Sequence, residues 1–412
     1  MNLENKIPNG WVETTLGEVI NIKHGYAFKG EFISLINNNK ILITPGNFKV
    51  GGGFKSDKFK YYSGDIPDSY ILEKGNIIVT MTDLSKIGDT LGFSAKVPND
   101  NRIYLHNQRI GLIQFKNSDF DKEYIYWLLR TNHYQKSMVN SATGSTVRHT
   151  SPNRIQEYKF YYPSFQEQVA IAKTLTAFDD KIENLQAQNN TLETTAQTIF
   201  KEWFGKYQIG DELPEGWRVG EINDLIEFII DNRGKTPPLI EKNINSYSLI
   251  EVNSITGDDR NVNINLGKKF VNEETYQNWF RKGHPINGDI LLSTVGSIGQ
   301  LAQVFDEKIC IAQNIIALRS NTSGNFLYEL LKINQKLIIN LDISSVQPSI
   351  KVPHLLAMPV IIPNIELIKK FDNLVDKLSK KITSNNQQVQ TLKKTRDTLL
   401  PKLMKGELRV KI

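Results

Sequence analysis

One cysteine, Cys310, stands among 412 residues, which excludes a disulfide framework and suits a reducing interior. No stretch is long and apolar enough to cross a bilayer, and the first residues carry no signal-peptide core, so a cytoplasmic location without membrane contact is expected. The six histidines are scattered, which leaves no zinc spacing, and no metal is expected. There is no Gly-x-x-x-x-Gly-Lys-Ser/Thr loop to cradle nucleotide phosphates. Nor is there a glycine-rich cofactor loop with an Asn/Asp-Pro-Pro-aromatic segment, for which Thr236-Pro237-Pro238 is no substitute. A catalytic role and a bound cofactor are therefore not expected of this chain. What is present is globular: 40% of the residues are apolar and 23% charged, and a net charge of +6 favours an anionic partner. The length asks for two to four folding units.

The chain starts twice. Ile7-Pro8-Asn9-Gly10-Trp11 returns as Leu213-Pro214-Glu215-Gly216-Trp217, half a chain length later. The halves then stay in step. Leu16 to Ile20 matches Ile222 to Ile226, and Glu73-Lys74-Gly75-Asn76-Ile77-Ile78 matches Ile286-Asn287-Gly288-Asp289-Ile290-Leu291, each a glycine turn followed by a buried strand. Polar glycine loops follow at Thr80 to Gly88 and Ser293 to Gly299, and then the pair Asn107-Gln108 and Gln313-Asn314. Tyr162-Pro163-Ser164 and Ile362-Pro363-Asn364 close the two halves. A period this long means a duplicated domain.

Beyond each closing proline the pattern becomes helical. Ser164 to Phe204 contains neither glycine nor proline, and Ser164-Phe165-Gln166-Glu167 reads as a capping box. Steps of four and three from Ile171 to Trp203, and again from Ile368 to Leu403, give two coiled-coil seams of roughly forty residues, about 60 Å each. One asparagine interrupts each seam, and an amide among apolar side chains needs a partner, so an antiparallel pair should set Asn189 against Asn385. That register places Leu175 opposite Leu399, Ile182 opposite Leu392, Leu185 opposite Val389 and Leu192 opposite Ile382. It continues with Ala196 opposite Leu378, Ile199 opposite Val375 and Trp203 opposite Phe371. The remaining layer is Phe178 with Arg396, whose guanidinium should stack on the ring or extend to water. Asp179-Asp180-Lys181 reads as a solvated helix face, not a nuclease metal site.

The expected organisation is α+β and pseudo-twofold: a domain over 1–163, a helix over 164–206, a second domain over 207–363, and a helix with tail over 364–412. Two copies of one unit joined by rigid spacers read two sites at a set distance. For a basic chain, duplex DNA has that geometry.

In this order the motifs resemble the DNA specificity subunits of type I restriction-modification systems. The likeness rests on Tyr162-Pro163-Ser164-Phe165-Gln166-Glu167-Gln168, on Ala196-Gln197-Thr198-Ile199-Phe200-Lys201-Glu202-Trp203-Phe204, on Leu399-Leu400-Pro401-Lys402-Leu403-Met404-Lys405-Gly406-Glu407-Leu408-Arg409-Val410, and on the paired Pro-x-Gly-Trp starts. Only the second helix start, Pro363-Asn364-Ile365-Glu366-Leu367, departs from the pattern, and a weaker cap is expected there. The resemblance implies a non-catalytic subunit with two target recognition domains, each contacting half of a split DNA sequence. It implies helices that set the gap and dock two modification subunits, which use S-adenosylmethionine. Restriction subunits would add ATP- and magnesium-dependent translocation and cleavage. The alternatives are a self-contained DNA methyltransferase or nuclease, and a coiled-coil scaffold that binds only proteins.

Candidate DNA contacts lie in the domain loops. Gly51-Gly52-Gly53 followed by Lys55, Lys58 and Lys60 interleaves flexible backbone, cations and aromatics, as phosphate-positioning loops do. Lys86 lies in the Thr80 to Gly88 loop. Ser145 and Thr146 offer hydroxyls beside His149, and Arg148 has the fork that grips guanine. Their counterparts in the second half are Arg233, Lys235, Lys268, Lys269 and Ser297, with Gln347 suited to adenine. His24, His106 and Trp279 read as packing or surface.

Overall fold

The computed structural model describes residues 7–410 other than 235, 258, 306, 307 and 345. The chain forms two compact units, Met1–Glu183 with Gln390–Ile412, and Asn184–Val389. Each contains the same four-stranded antiparallel sheet. In the first unit its order is Ile20–His24, Ile110–Phe115, Ile77–Thr80, Ser94–Lys96; in the second it is Ile226–Asp231, Ile315–Ser320, Ile290–Ser293, Leu301–Gln303. The central strands Ile77–Thr80 and Ile290–Ser293 are buried at every position, because helices cover one sheet face and a second sheet the other. That second sheet carries a parallel ladder in both units, Lys40–Leu42 beside Ile103–Leu105 and Tyr247–Ile250 beside Ile309–Ile311.

The repeated Pro-x-Gly-Trp is a turn. Trp11 N donates to Pro8 O and Trp217 N to Pro214 O, each across 3.0 Å, and Gly10 and Gly216 supply φ values of 80° and 77° that other residues resist. Strand Val12–Thr15 leaves the first turn and pairs with Lys159–Tyr162; Arg218–Glu221 leaves the second and pairs with Pro359–Ile362. Each domain's beginning is thereby tied to its end, directly ahead of a long helix.

Those helices are Phe165–Phe204 and Ile365–Met404. Ser164 Oγ accepts from Glu167 N at 3.4 Å, but the reciprocal half of the expected capping box is missing: the Glu167 carboxylate instead takes Arg409 Nη2 at 2.6 Å. The second cap is not the weaker one, since Asn364 Oδ1 accepts from Leu367 N at 2.9 Å and asparagine caps as well as serine. The helices are also more than spacers. Ile171, Leu175, Leu400 and Leu403 belong to the first unit's core, and Phe200, Phe204, Ile368, Phe371 and Val375 to the second's. Both compact units therefore take in parts of both helices, and the limits of the units fall inside the helices.

Candidate nucleic-acid interface

Within the second unit the helices run antiparallel, and a layer of asparagines joins them, with Asn385 Oδ1 left buried and unpartnered. Asn385 Nδ2 donates to Asn189 Oδ1 at 2.9 Å, while Asn189 Nδ2 donates to Asn386 Oδ1 at 2.7 Å. Leu175, Ile182, Leu185, Phe371, Val375, Ile382 and Val389 are buried; Leu192, Ile199, Trp203, Leu378, Leu392 and Leu399 are half-buried. Trp203 meets Phe371 with ring centroids 6.2 Å apart. Beyond Asn189 the buried face of the first helix moves to Glu193, Ala196, Phe200 and Phe204, because a 3.6-residue turn drifts off a strict seven-residue repeat once the helix packs on its domain.

Two expectations for the helices are corrected. Arg396 neither stacks on Phe178 nor extends to water: its guanidinium pairs with Asp179 and with Asp397. Asp179 is not on a solvated face. Burial would raise its pKa, but Arg130 and Arg396 hold it below the usual carboxylate value. Among the described residues no group of three or more His, Cys, Asp or Glu is placed to hold a metal ion.

Arg130 leads from that carboxylate to the first candidate loop. Its Nε donates to Gly51 O at 3.0 Å while its Nη1 bonds Asp179. The three glycines are thus no flexible tether: their φ values are 84°, 85° and 94°, and a Cβ on Gly52 would lie 2.5 Å from Arg130 Cγ. Buried Asn47 secures the rest of the loop, its Nδ2 reaching Lys55 O at 3.3 Å and Lys58 O at 3.1 Å. Lys55, Lys58 and Lys60 point outward, Lys55 within 3.3 Å of Asp57.

A neighbouring loop is built on Asp83. Its carboxylate accepts from Ser85 N at 2.6 Å and Thr90 Oγ1 at 2.6 Å, and these bonds keep its pKa low although burial pushes the other way. Arg148 Nε donates to Lys86 O at 3.1 Å and His149 Nδ1 lies 3.1 Å from Thr82 Oγ1, so the Ser145 to His149 segment is fastened to the same loop. Gly144 makes that turn possible, since a Cβ would sit 2.0 Å from Val147 O. Lys86, Ser145, Thr146 and His149 are exposed and Arg148 is half-buried. Sequence reading missed the exposed Val50, Leu84 and Ile87 among these cations. Their signal was apolar residues inside loops that are otherwise polar.

In the second unit, Arg233, Lys269, Ser297 and Gln347 line one cavity of about 520 Å³. Arg233 Nε is 3.0 Å from Asp231 Oδ2, and Lys269 Nζ is 2.7 Å from Glu251 Oε1. Lys268 is exposed and outside the cavity, and Lys235 lies outside the described residues. Trp279, read from sequence as packing or surface, is a wall of this cavity, as are Gln313 and Asn314. The matched pair also needs a shift. Ile110 N donates to Asn107 O at 2.9 Å and Ile315 N to Ala312 O at 3.1 Å, so Gln108 corresponds to Gln313 and Arg109 to Asn314.

A buried cluster that no sequence pattern indicated ties the first long helix to this domain. Fully buried Arg260 donates from Nε to Glu193 Oε1 at 2.9 Å, and its Nη2 also meets Glu329. Burial, against the pull of Arg260, pushes the Glu329 carboxyl up from 4.5 to about 7.

Comparison with known proteins places these features. The family model described as type I restriction modification DNA specificity domain matches residues 8–194 and, a second time, residues 214–394. The MjaIX specificity subunit of a type I restriction enzyme from Methanocaldococcus jannaschii is 29% identical over 70% of this chain and 69% of its own length. The MjaVIII specificity subunit from the same organism is 23% identical over 98% of this chain and 95% of its own. A crystal structure of a type I restriction-modification system S subunit from M. genitalium shares the fold with a TM-score of 0.58 over 98% of both chains at 18% identity.

Proposed function

The chain belongs to the family of type I restriction modification DNA specificity domains, and from that membership we propose that it is the DNA-reading subunit of a type I restriction-modification complex. It does no chemistry itself and holds no cofactor. Each domain reads one half of a bipartite DNA target, through the Lys55 to Lys60, Lys86 and Ser145 to His149 loops in the first domain and the residues around the 520 Å³ cavity in the second. The long helices set the gap and dock two modification subunits, which supply S-adenosylmethionine; restriction subunits bring ATP and magnesium. The complex works in the cytoplasm.

The observation that carries this reading is the duplication itself. The same sheet order, the same start-to-end ribbon and the same kind of 40-residue helix occur twice. A duplicated reader joined by helices suits two half-sites at a defined spacing. The cations support the role in detail: the three lysines after Gly53 position phosphates, and the free face of the Arg148 guanidinium is left for a base edge. Co-expression with its modification subunit, followed by genome-wide mapping of methylated adenine, should reveal a split motif with a fixed gap. An uninterrupted motif, or no motif, overturns the proposal.

A further inference from the structure

The cavity of the second domain combines an apolar floor with polar walls. Its floor is core: Leu249, Phe280 and Ile311 are buried, and the space above them measures about 520 Å³. A base of a duplex enters such a hollow only when its nucleotide leaves the stack. The walls carry a partly exposed aromatic, Trp279, and the amides of Gln313, Asn314 and Gln347, each with a donor and an acceptor. Asn314 Oδ1 is buried there without a hydrogen-bond partner. Arg233 and Lys269 bring cations to the same hollow.

Both domains stack aromatics over the facing pair of the parallel ladder, Phe28 and Tyr62 over Leu42 and Leu105 in the first and Tyr276 and Phe280 over Leu249 and Cys310 in the second. The first domain's hollow, beside Pro45, Phe48 and Leu84, is smaller, about 370 Å³.

We propose that the second domain holds, between Trp279 and its amide walls, a nucleobase rotated out of the DNA half-site that this domain reads. The inference rests on the proposed DNA-reading role and adds a ligand to one part of it. Trp279 supplies a stacking face, the amides meet the base's pairing edge, and Arg233 and Lys269 meet the adjoining phosphates.

The test uses the complex of this chain with its modification subunits and duplexes with one mismatch at each base pair of the second half-site, omitting the methylated adenine. Each strand keeps its base in turn while the partner is changed. A base read in the groove loses affinity when mismatched, whereas a base that must unpair binds more tightly once its partner is wrong, by about tenfold or more. One position should show this gain. Trp279→Ala should abolish it and weaken the matched site by about tenfold, the loss of one base stack. Gln347→Ala, a change in an exposed loop, should reduce the gain without affecting the fold. Loss at every mismatch, or a gain that persists in Trp279→Ala, overturns the inference. Absence of any split methylation motif overturns the DNA-reading role instead, so the two failures are distinct.

Discussion

Asn385 Nδ2 and Asn189 Oδ1 meet across 2.9 Å, between the aliphatic side chains of Leu185 and Val389 on one side and Leu192 and Ile382 on the other. Asn189→Leu should lower stability by about 1 to 3 kcal/mol, because the buried amide of Asn385 and the half-buried one of Asn386 lose their partner. Replacing Asn189 and Asn385 together by leucine should recover much of that loss while relaxing the register. Denaturant midpoints measure the first effect, and cysteine cross-linking between residues 185 and 389 measures the second. A single variant as stable as the parent would show that the layer does not select the register.

Arg260 sits with one positive charge between Glu193 and Glu329, so one carboxyl is best kept protonated. Glu329 is that group, and its native value of about 7 exceeds the ordinary 4.5. The native state then binds the proton more tightly than the unfolded chain. Its contribution is full below pH 4.5 and is lost as pH rises through about 7. Unfolding of the second unit should become easier across that window, and Glu329→Gln should flatten the dependence. Arg260→Leu leaves buried carboxylates facing each other and should cost about 3 to 5 kcal/mol.

Lys58 and Arg148 should differ in what they lose. Lys58→Ala should weaken all DNA sequences alike and reduce the salt slope by about one unit, the signature of a phosphate contact. Arg148→Ala should relax one base position at about 1 to 3 kcal/mol. Since Arg148 also holds Lys86 O at 3.1 Å, its removal should increase hydrogen exchange in residues 83–90. Binding titrations at several salt concentrations with a set of altered half-sites separate the two. An unchanged base preference in Arg148→Ala makes it a phosphate contact.

Exchange of domains should respect the cores. Phe200, Phe204 and Phe371 pack with Phe326, so a graft of residues 207–363 alone mismatches that cluster, whereas 184–389 carries it whole. The longer graft from a relative should fold and change one half-site only, as read by methylation mapping. A change in both half-sites contradicts separate reading.

Spacing should follow the helices. Seven residues inserted after Asn190, matched by seven before Ser384, keep the asparagine layer and lengthen each helix by about 10 Å. The gap in the methylated sequence should grow by about three base pairs at 3.4 Å each, with both half-sites kept. An unchanged gap removes the helices from that role.

Features set by local chemistry were legible without coordinates. The Pro-x-Gly-Trp turns follow from glycine's access to positive φ, the buried strands after Gly75 and Gly288 from unbroken apolar runs, and the helix limits from the loss of glycine and proline between Ser164 and Phe204. The α+β duplication and the pairing of two seams at their single asparagines belong to the same class, since both depend on pattern and period. Tertiary structure decided what depends on residues far apart in the chain. Glu167 turned from its own helix end to Arg409, and Asp179 from solvent to Arg130 and Arg396. Arg260 found Glu193 and Glu329, and Trp279 came to wall a cavity with Gln347. No periodicity encodes such meetings, because a buried charge or an open cavity is settled by what the rest of the fold brings against it.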